Sequence, residues 1–175
     1  MLSVFAVFSS LLIASAAAGP LQARAACNPA VAGKGINIVN GQFQLGYPAY
    51  SPNVPIESEA LTTPLTPVFT VDASGNGLWS VNNAPAGATL LYPTEVDRTQ
   101  VLLEPRISGS PGNFSQGFSF VCSECSEPTI AHGCAVISDA TGQCVQIGTA
   151  VGQPASISQC TGQPVGNQAF TVIIS

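Results

Sequence analysis

An internal repeat is the feature that most constrains how this chain can fold, because it divides the sequence into units of one kind. One segment reads GQFQLG and closes on VFTV, and a later segment reads GQCVQIG and closes on AFTV. From Leu45, which ends the opening apolar–polar–apolar trio, to the closing Phe69 is 24 positions. From Ile147 to Phe170 in the later segment is 23. The sequence therefore predicts two copies of one structural unit.

A weaker middle copy completes a set of three. Its closing strand contains Phe118, and the three closing phenylalanines are spaced by 49 and 52 residues. Each copy alternates short period-2 runs with turn residues, and one such unit cannot bury its apolar face alone. Three units around a pseudo-threefold axis would place Phe69, Phe118 and Phe170 in a shared core. The sequence predicts one all-β domain over residues 26–175, a β-trefoil. Its repeats span approximately residues 34–73, 77–122 and 134–174.

The amino-acid composition agrees with many short strands. Fourteen prolines and seventeen glycines disfavour long helices, and 46% hydrophobic against 7% charged residues is unlike a disordered chain. The formal net charge is −5, and without the first 25 residues three basic residues remain against nine acidic ones. Such a chain repels a polyanion, so nucleic acid is excluded as a partner.

The first 25 residues are predicted to be a secretory signal peptide. Residues 4–18 are almost all apolar or small, and this run of about fifteen residues is short for a bilayer span but matches a secretory leader. The sequence ARA, which ends at residue 25, supplies a cleavage pattern, with an alternative cut after Ala18. A membrane anchor is the alternative interpretation. No other stretch is long and apolar enough to span a membrane, so the mature protein is expected to be extracellular.

Six cysteines follow the leader. An even count in a secreted chain predicts up to three disulfides, and six cysteines allow 15 connectivities, so spacing alone does not set the pairing. The alternative is a zinc site, because the segment 122–134 combines Cys-x-x-Cys with His132 and a further cysteine. An exported thiol normally oxidises, so the sequence favours disulfides, with no metal and no cofactor. The cysteines are Cys27, Cys122, Cys125, Cys134, Cys144 and Cys160.

The last repeat resembles the ricin-B-type β-trefoil lectins. Its sequence NQAF, from Asn167 to Phe170, is similar to the Gln-x-Trp closing motif of that family, with Phe in place of Trp. Gln116 opens a similar motif, QGF, in the second repeat, whereas the first repeat has PVF without the glutamine. In this family the aromatic residue fills the core and the glutamine bonds backbone groups at a turn, so the motif is expected to support the fold.

The resemblance also implies how cysteines pair. Cys144 and Cys160 look like the paired cysteines of a family repeat, which implies a Cys144–Cys160 disulfide. The termini of a β-trefoil lie close together, so Cys27 is expected to pair with one of the three cysteines between residues 122 and 134. The sequence does not determine which one.

Sugar binding in the ricin-B family uses a carboxylate, a stacked aromatic ring and further polar side chains. In the third repeat the carboxylate position falls on Gln146 and the aromatic position on Ser158, whereas Asn167 and Gln168 match the family. This repeat therefore lacks the aromatic platform on which a sugar would stack.

The first repeat offers aromatic rings. Gln44 falls at its carboxylate position, and Tyr47 and Tyr50 follow in a Pro-rich loop. Glu57 and Glu59 share one face of a strand by period 2 and can accept hydrogen bonds from hydroxyls. The alternative is a packed aromatic loop beside a solvated acidic strand. The residues expected to bind carbohydrate are Gln44, Tyr47, Tyr50, Gln146, Asn167 and Gln168.

The remaining polar features predict no catalytic site. Glu95 and Asp97 share a face with Tyr92 upstream, and a solvent-facing edge is expected there. The only histidine has no G-x-S-x-G partner, and each acidic pair lies on one strand, whereas a glycosidase needs two carboxyls across a cleft. Asn113 begins an N-glycosylation sequon, NFS, in a Pro/Gly/Ser loop.

Two functions agree with these patterns, and neither is that of an enzyme. The first is a secreted ricin-B-like carbohydrate-binding glycoprotein with degenerate sugar sites, whose partner is a glycan. The second is a secreted β-trefoil scaffold without lectin activity. Such a scaffold would contact another secreted protein, as protease inhibitors of this fold do, or act as an extracellular or wall-associated component. The fold alone does not decide between the two.

Overall fold

The prediction of an all-β fold is confirmed by the computed structural model, which describes residues 26–74, 77–107, 114–162 and 164–175. These residues form twelve short strands and two turns of 3-10 helix. Within them, no helix is long and apolar enough to cross a membrane. The predicted signal peptide over residues 1–25 and Asn113 of the sequon lie outside the described residues.

The strands are short because turn residues interrupt the sequence every few positions. Burial alternates along several of them, as where Phe69 and Val71 point inward while Thr70 between them is half-buried. The two 3-10 turns, Phe114–Gln116 and Gly166–Gln168, each end two residues before a closing strand. The strands are β1 (Gly35–Asn40), β2 (Phe43–Gly46), β3 (Glu57–Ala60), β4 (Phe69–Val71), β5 (Trp79–Val81), β6 (Leu91–Val96), β7 (Gln100–Pro105), β8 (Phe118–Glu124), β9 (Ile130–Ser138), β10 (Cys144–Gln146), β11 (Ser156–Ser158) and β12 (Phe170–Ile174).

Six of the strands pair in a ring. Strand β1 pairs with both β12 and β4, and β4 pairs with β5. A single bridge between Leu78 and Gly117 links β5 to β8. Strand β8 pairs with β9, and β9 pairs with β12, which returns to β1. The sheet therefore curls until its first and last strands are neighbours.

Three hairpins extend from this ring, and they also contact one another. They are β2–β3, β6–β7 and β10–β11, and every pairing within them is antiparallel. Each hairpin meets the other two through a single bridge, so the three close on one another as a cap. The bridges are Pro55 with Leu102, Glu57 with Pro154, and Gln100 with Ser156.

The three closing phenylalanines lie in one core. Phe69, Phe118 and Phe170 are each at most 1% exposed and belong to a single cluster of buried apolar side chains. Trp79 joins them, with its ring centroid 5.8 Å from Phe69 and 5.2 Å from Phe118. Aromatic rings at such separations interact beyond the burial of their area, so this cluster contributes strongly to stability.

Two buried glutamines precede closing strands at the same position. The Gln168 amide donates to Ser158 Oγ and to the Gln159 carbonyl, and its oxygen accepts from the Thr161 N–H at 3.0 Å. Gln116 makes the same three kinds of bond in the preceding repeat. It donates to Thr94 Oγ1 and the Pro105 carbonyl and accepts from the Ile107 N–H. Both side chains are buried, and each bonds backbone groups of the turn that precedes a closing strand.

All six cysteines form disulfides with one another. Cys144 pairs with Cys160, the bridge that the resemblance implied, and Cys27 takes Cys125 as its partner. The third bridge, Cys122–Cys134, joins residues directly opposite each other on β8 and β9. Three disulfides fit an extracellular protein. None of these thiols is left to bind zinc, and the described residues hold no cluster suited to a metal ion.

The prediction of a solvent-facing acidic edge was wrong for Glu95. Its side chain is buried and accepts hydrogen bonds from the hydroxyls of Ser138 and Thr141, because the β9–β10 turn lies over β6. Tyr92 is buried as well. Asp97 is exposed in the β6–β7 turn, where its φ of 52° ends the strand. A period-2 pattern gives the face of a strand, and tertiary packing decides whether that face meets solvent.

Candidate functional site

The first hairpin presents two carboxylates on one face. Ser58 and Leu45 are paired across β2 and β3, and both point into the core. Glu57 and Glu59 flank Ser58, so both lie on the opposite face, and each is half-buried. Across the ladder Glu59 faces Gln44, and Glu57 faces a glycine. The hairpin therefore gathers two carboxylates and an amide at one place.

Glu59 bends back over the neighbouring strand. A Cβ atom at Gly46 would lie 2.1 Å from its carboxyl group, so the carboxylate fills the space that a side chain at position 46 would need. There it accepts hydrogen bonds from the backbone N–H of Tyr47 and from the side-chain amide of Gln44. Gly46 is thus required for the position of Glu59.

Burial raises the pKa of Glu59 above its usual value, and the nearby charge of Glu57 raises it further. The hydrogen bonds from Tyr47 and Gln44 act in the other direction but do not cancel the effect. Among the described residues, no cationic side chain contributes to this shift. The two carboxylates therefore repel each other with no positive group to compensate.

Gln44 is almost fully buried, with 4% of its surface exposed. Its amide nitrogen donates to Glu59, while its Oε1 has no hydrogen-bond partner among the described residues. A buried polar atom without a partner is uncommon in folded proteins and costs free energy.

Tyr47 borders the carboxylate of Glu59, and Tyr50 lies near Tyr47. The Tyr47 hydroxyl donates to the carbonyl of Asn82, and the Tyr50 hydroxyl donates to the carbonyl of Thr89 at 2.8 Å. Both rings are half-buried against the apolar core. Burial raises the pKa of Tyr47, and the charge of Glu59 raises it further. We call Gln44, Tyr47, Tyr50, Glu57 and Glu59 the first-hairpin patch.

The third hairpin has a different arrangement. Gln146 accepts a hydrogen bond from Ser158 at 2.9 Å, and Gln168 is buried and fully engaged with its turn. Asn167 is half-buried, and its carbonyl accepts from the Ile147 N–H. The expected sugar-binding residues thus divide between two hairpins, and those of the third bond mainly to each other and to the backbone.

Comparisons with known proteins do not add a relative to this description. No protein-family model, no curated protein and no solved structure matches the chain. A function for the chain must therefore be argued from its own residues and their geometry.

A cavity that the sequence did not indicate lies between the N-terminal segment 28–34 and strands β5 and β8. Its volume is about 640 Å³, and its lining includes the aromatic residues Trp79, Phe118 and Phe120, with Lys34 and Asp139 as the charged members. The Nε1 of Trp79 is buried and has no hydrogen-bond partner among the described residues. The chain has only one tryptophan, which was the one available signal for this place.

Proposed function

We propose that the chain is a β-trefoil of three repeats. Support comes from the ring of six strands, from the three hairpins that extend from it, and from the core in which the three closing phenylalanines meet. The equal bonding of Gln116 and Gln168 supports it independently, because two distant segments make the same three hydrogen bonds. Secretion is part of the proposal, since the disulfides fit an oxidising compartment and residues 1–25 resemble a leader.

We propose further that this protein binds carbohydrate, as a ricin-B-like protein with degenerate sites, through the first-hairpin patch. One observation carries the proposal, namely that the half-buried ring of Tyr47 lies beside the carboxylate of Glu59. A carboxylate accepts hydrogen bonds from sugar hydroxyls, and an aromatic ring covers the apolar face of a sugar. The third hairpin offers no ring at Ser158, so binding is assigned to the first.

A glycan-array screen of the secreted, non-reduced protein tests this proposal. Saturable binding that free sugar displaces, and that Tyr50→Ala and Glu59→Gln abolish, is the expected result. Gln146→Ala is the matched control, because it removes a polar side chain from the third hairpin and should leave binding unchanged. Loss of binding in the control but not in the first-hairpin variants would move the site to the third hairpin.

A scaffold without lectin activity is the second candidate. Both tyrosine hydroxyls of the first-hairpin patch are already bonded to backbone carbonyls, which favours a packed loop. A scaffold of this kind would bind a secreted protein or serve as a wall-associated component, and it too would lack enzymatic activity. A folded, disulfide-intact sample that binds no glycan would favour this candidate and contradict the first.

A further inference from the structure

We propose that the β3–β4 loop, residues 61–68, carries sugars linked covalently to the hydroxyls of Thr62, Thr63 and Thr66. The inference rests on the proposed secretion, because chains of O-linked sugar are attached in the secretory pathway. It is independent of the proposed carbohydrate binding, in which a glycan is held without a covalent bond. The predicted N-glycosylation at Asn113 concerns another residue and another linkage.

The sequence of this loop is the first observation. It reads LTTPLTPV, so three threonines lie within five residues and two of them directly precede a proline. Segments that combine serine or threonine with proline are typical of O-glycosylated regions. The residue before a proline is also driven toward extended backbone, the form in which many proteins bind a peptide segment. Thr63 and Thr66 therefore have the sequence context of sugar acceptors.

The ends of the loop are fixed, and its middle is open. The Leu61 N–H donates to the Gln42 carbonyl at 3.0 Å, and the Val68 N–H donates to the Ile36 carbonyl at 3.1 Å. Between these bonds, residues 62–66 make no backbone hydrogen bond among the described residues and belong to no strand. A glycosyltransferase can therefore bind this stretch in its own groove without breaking a hydrogen bond of the fold.

The hydroxyls of the three loop threonines are free. All three residues are exposed, and none of their hydroxyls has a hydrogen-bond partner among the described residues. Most other threonines of the chain use the hydroxyl to bond another side chain. Those threonines are Thr70, Thr94, Thr141, Thr149, Thr161 and Thr171. Modification of the loop threonines, in contrast, removes no hydrogen bond from the fold.

Each attachment is a substitution at the anomeric carbon of an activated sugar. The threonine Oγ1 forms a bond to that carbon, while the bond from the same carbon to the phosphate of a nucleotide- or lipid-linked donor breaks. The phosphate leaves with the electron pair, and the hydroxyl proton passes to a base on the transferase. No oxidant or reductant takes part.

Mass spectrometry of the exported protein tests the inference. The full chain is expressed in a eukaryotic secretion host, collected from the medium, stripped of N-linked sugars by enzyme, then reduced and unfolded. Proteolysis after glutamate residues releases the peptide 60–95, which contains the whole loop. This peptide should carry the added mass of hexose or N-acetylhexosamine, and electron-transfer fragmentation should place that mass within residues 62–66.

Two variants assign the sugars to their residues. The triple variant Thr62→Ala, Thr63→Ala, Thr66→Ala should lose the added mass completely and should still be exported, because it removes no hydrogen bond from the fold. Thr89→Ala is the matched control, since Thr89 is exposed in the same peptide but has no proline beside it. This variant should keep the added mass unchanged.

The inference is overturned by an unmodified peptide from exported protein, by sugar that persists in the triple variant, or by phosphate in place of sugar. If the chain stays inside the cell with residues 1–25 attached, the proposed secretion fails and the inference fails with it. A glycan array without binding, in contrast, would contradict only the proposed carbohydrate binding.

Discussion

The carboxylate of Glu59 occupies the space beside Gly46 in which any other residue would carry its Cβ atom. The contact distance of 2.1 Å is far below what two carbon atoms tolerate, so glycine and carboxylate depend on each other. Because Gly46 leaves this space open, the carboxylate of Glu59 can accept a hydrogen bond from the backbone N–H of Tyr47.

Gly46→Ala is predicted to displace Glu59 and to weaken the fold. The added methyl group forces the flexible Glu59 side chain away from the Tyr47 N–H, and the lost hydrogen bond costs about 0.5–1.5 kcal/mol. Urea denaturation measures the loss, and glycan binding should fall with it. Gly162→Ala is the control, because a Cβ at position 162 meets nothing within 4 Å. Equal stability of the two variants would contradict the contact described.

The stability of the protein should decline slightly as the pH rises through the range just above the usual carboxyl pKa of about 4.3. The pKa of Glu59 is raised in the folded state, so there the folded state binds more protons than the unfolded state. Deprotonation of Glu59 therefore destabilises the fold, and Glu59→Gln should flatten this part of the profile. Solvent screening keeps the effect small. Urea midpoints at several pH values measure it, and a steeper decline in Glu59→Gln would contradict it.

The disulfides should differ in how much they stabilise the fold. The Cys144–Cys160 bridge closes a separation of 16 residues, and Cys27–Cys125 closes one of 98. On the chain-entropy model, removal of each pair by double Cys→Ala substitution costs about 3 and about 4.7 kcal/mol respectively. Denaturant midpoints of the two double variants give the order, and the reverse order would show that native packing outweighs loop length.

Replacing either of the two buried glutamines with alanine should destabilise the protein. Gln116→Ala and Gln168→Ala each remove at least three hydrogen bonds made by a buried side chain, at a cost of about 1–3 kcal/mol. Gln159→Ala is a suitable control, because the side chain of Gln159 is exposed and its carbonyl remains available to Gln168. Thermal unfolding of the three variants would distinguish them, and a small effect for only one glutamine would argue against equivalent roles.

The β6–β7 turn offers a stabilising substitution. Asp97 and Arg98 both have positive φ, 52° and 58°, although neither is glycine. Left-handed backbone costs an ordinary residue about 1–2 kcal/mol, and glycine avoids most of that cost at the price of unfolded-state entropy. Arg98→Gly is therefore expected to raise stability by about 0.5–1 kcal/mol. Arg106→Gly, outside this turn, should not raise it. A destabilised Arg98→Gly would mean that the Arg98 side chain makes contacts that offset the strain.

The sequence predicted the features that recur in each repeat. It did not predict contacts that depend on packing between segments distant in sequence. The all-β fold and the burial of Phe69, Phe118 and Phe170 followed from alternation and repeat spacing, which are local signals. Burial of Glu95 did not, because its hydroxyl partners come from a turn more than 40 residues later. For the same reason the lone tryptophan did not reveal the cavity beside it, which segments distant in sequence enclose.

The first-hairpin patch was partly predictable. Period 2 in β3 indicated that Glu57 and Glu59 share a face, and the Pro-rich loop indicated the two tyrosines. The position of Glu59 over Gly46 required the register of β2 against β3, which alternation alone does not supply. Cys27 pairs with Cys125 rather than with Cys122 or Cys134. This choice likewise depends on where the N-terminal segment meets β8.

The pairing of β12 with both β1 and β9 has a consequence for synthesis. The ring lacks a strand until β12, Phe170–Ile174, has left the ribosome and become free to pair. Until then β1 and β9 each expose an edge with unsatisfied backbone groups, the kind of edge at which chains aggregate. Closure of the ring therefore has to wait for β12, and deletion of this strand would leave an open sheet.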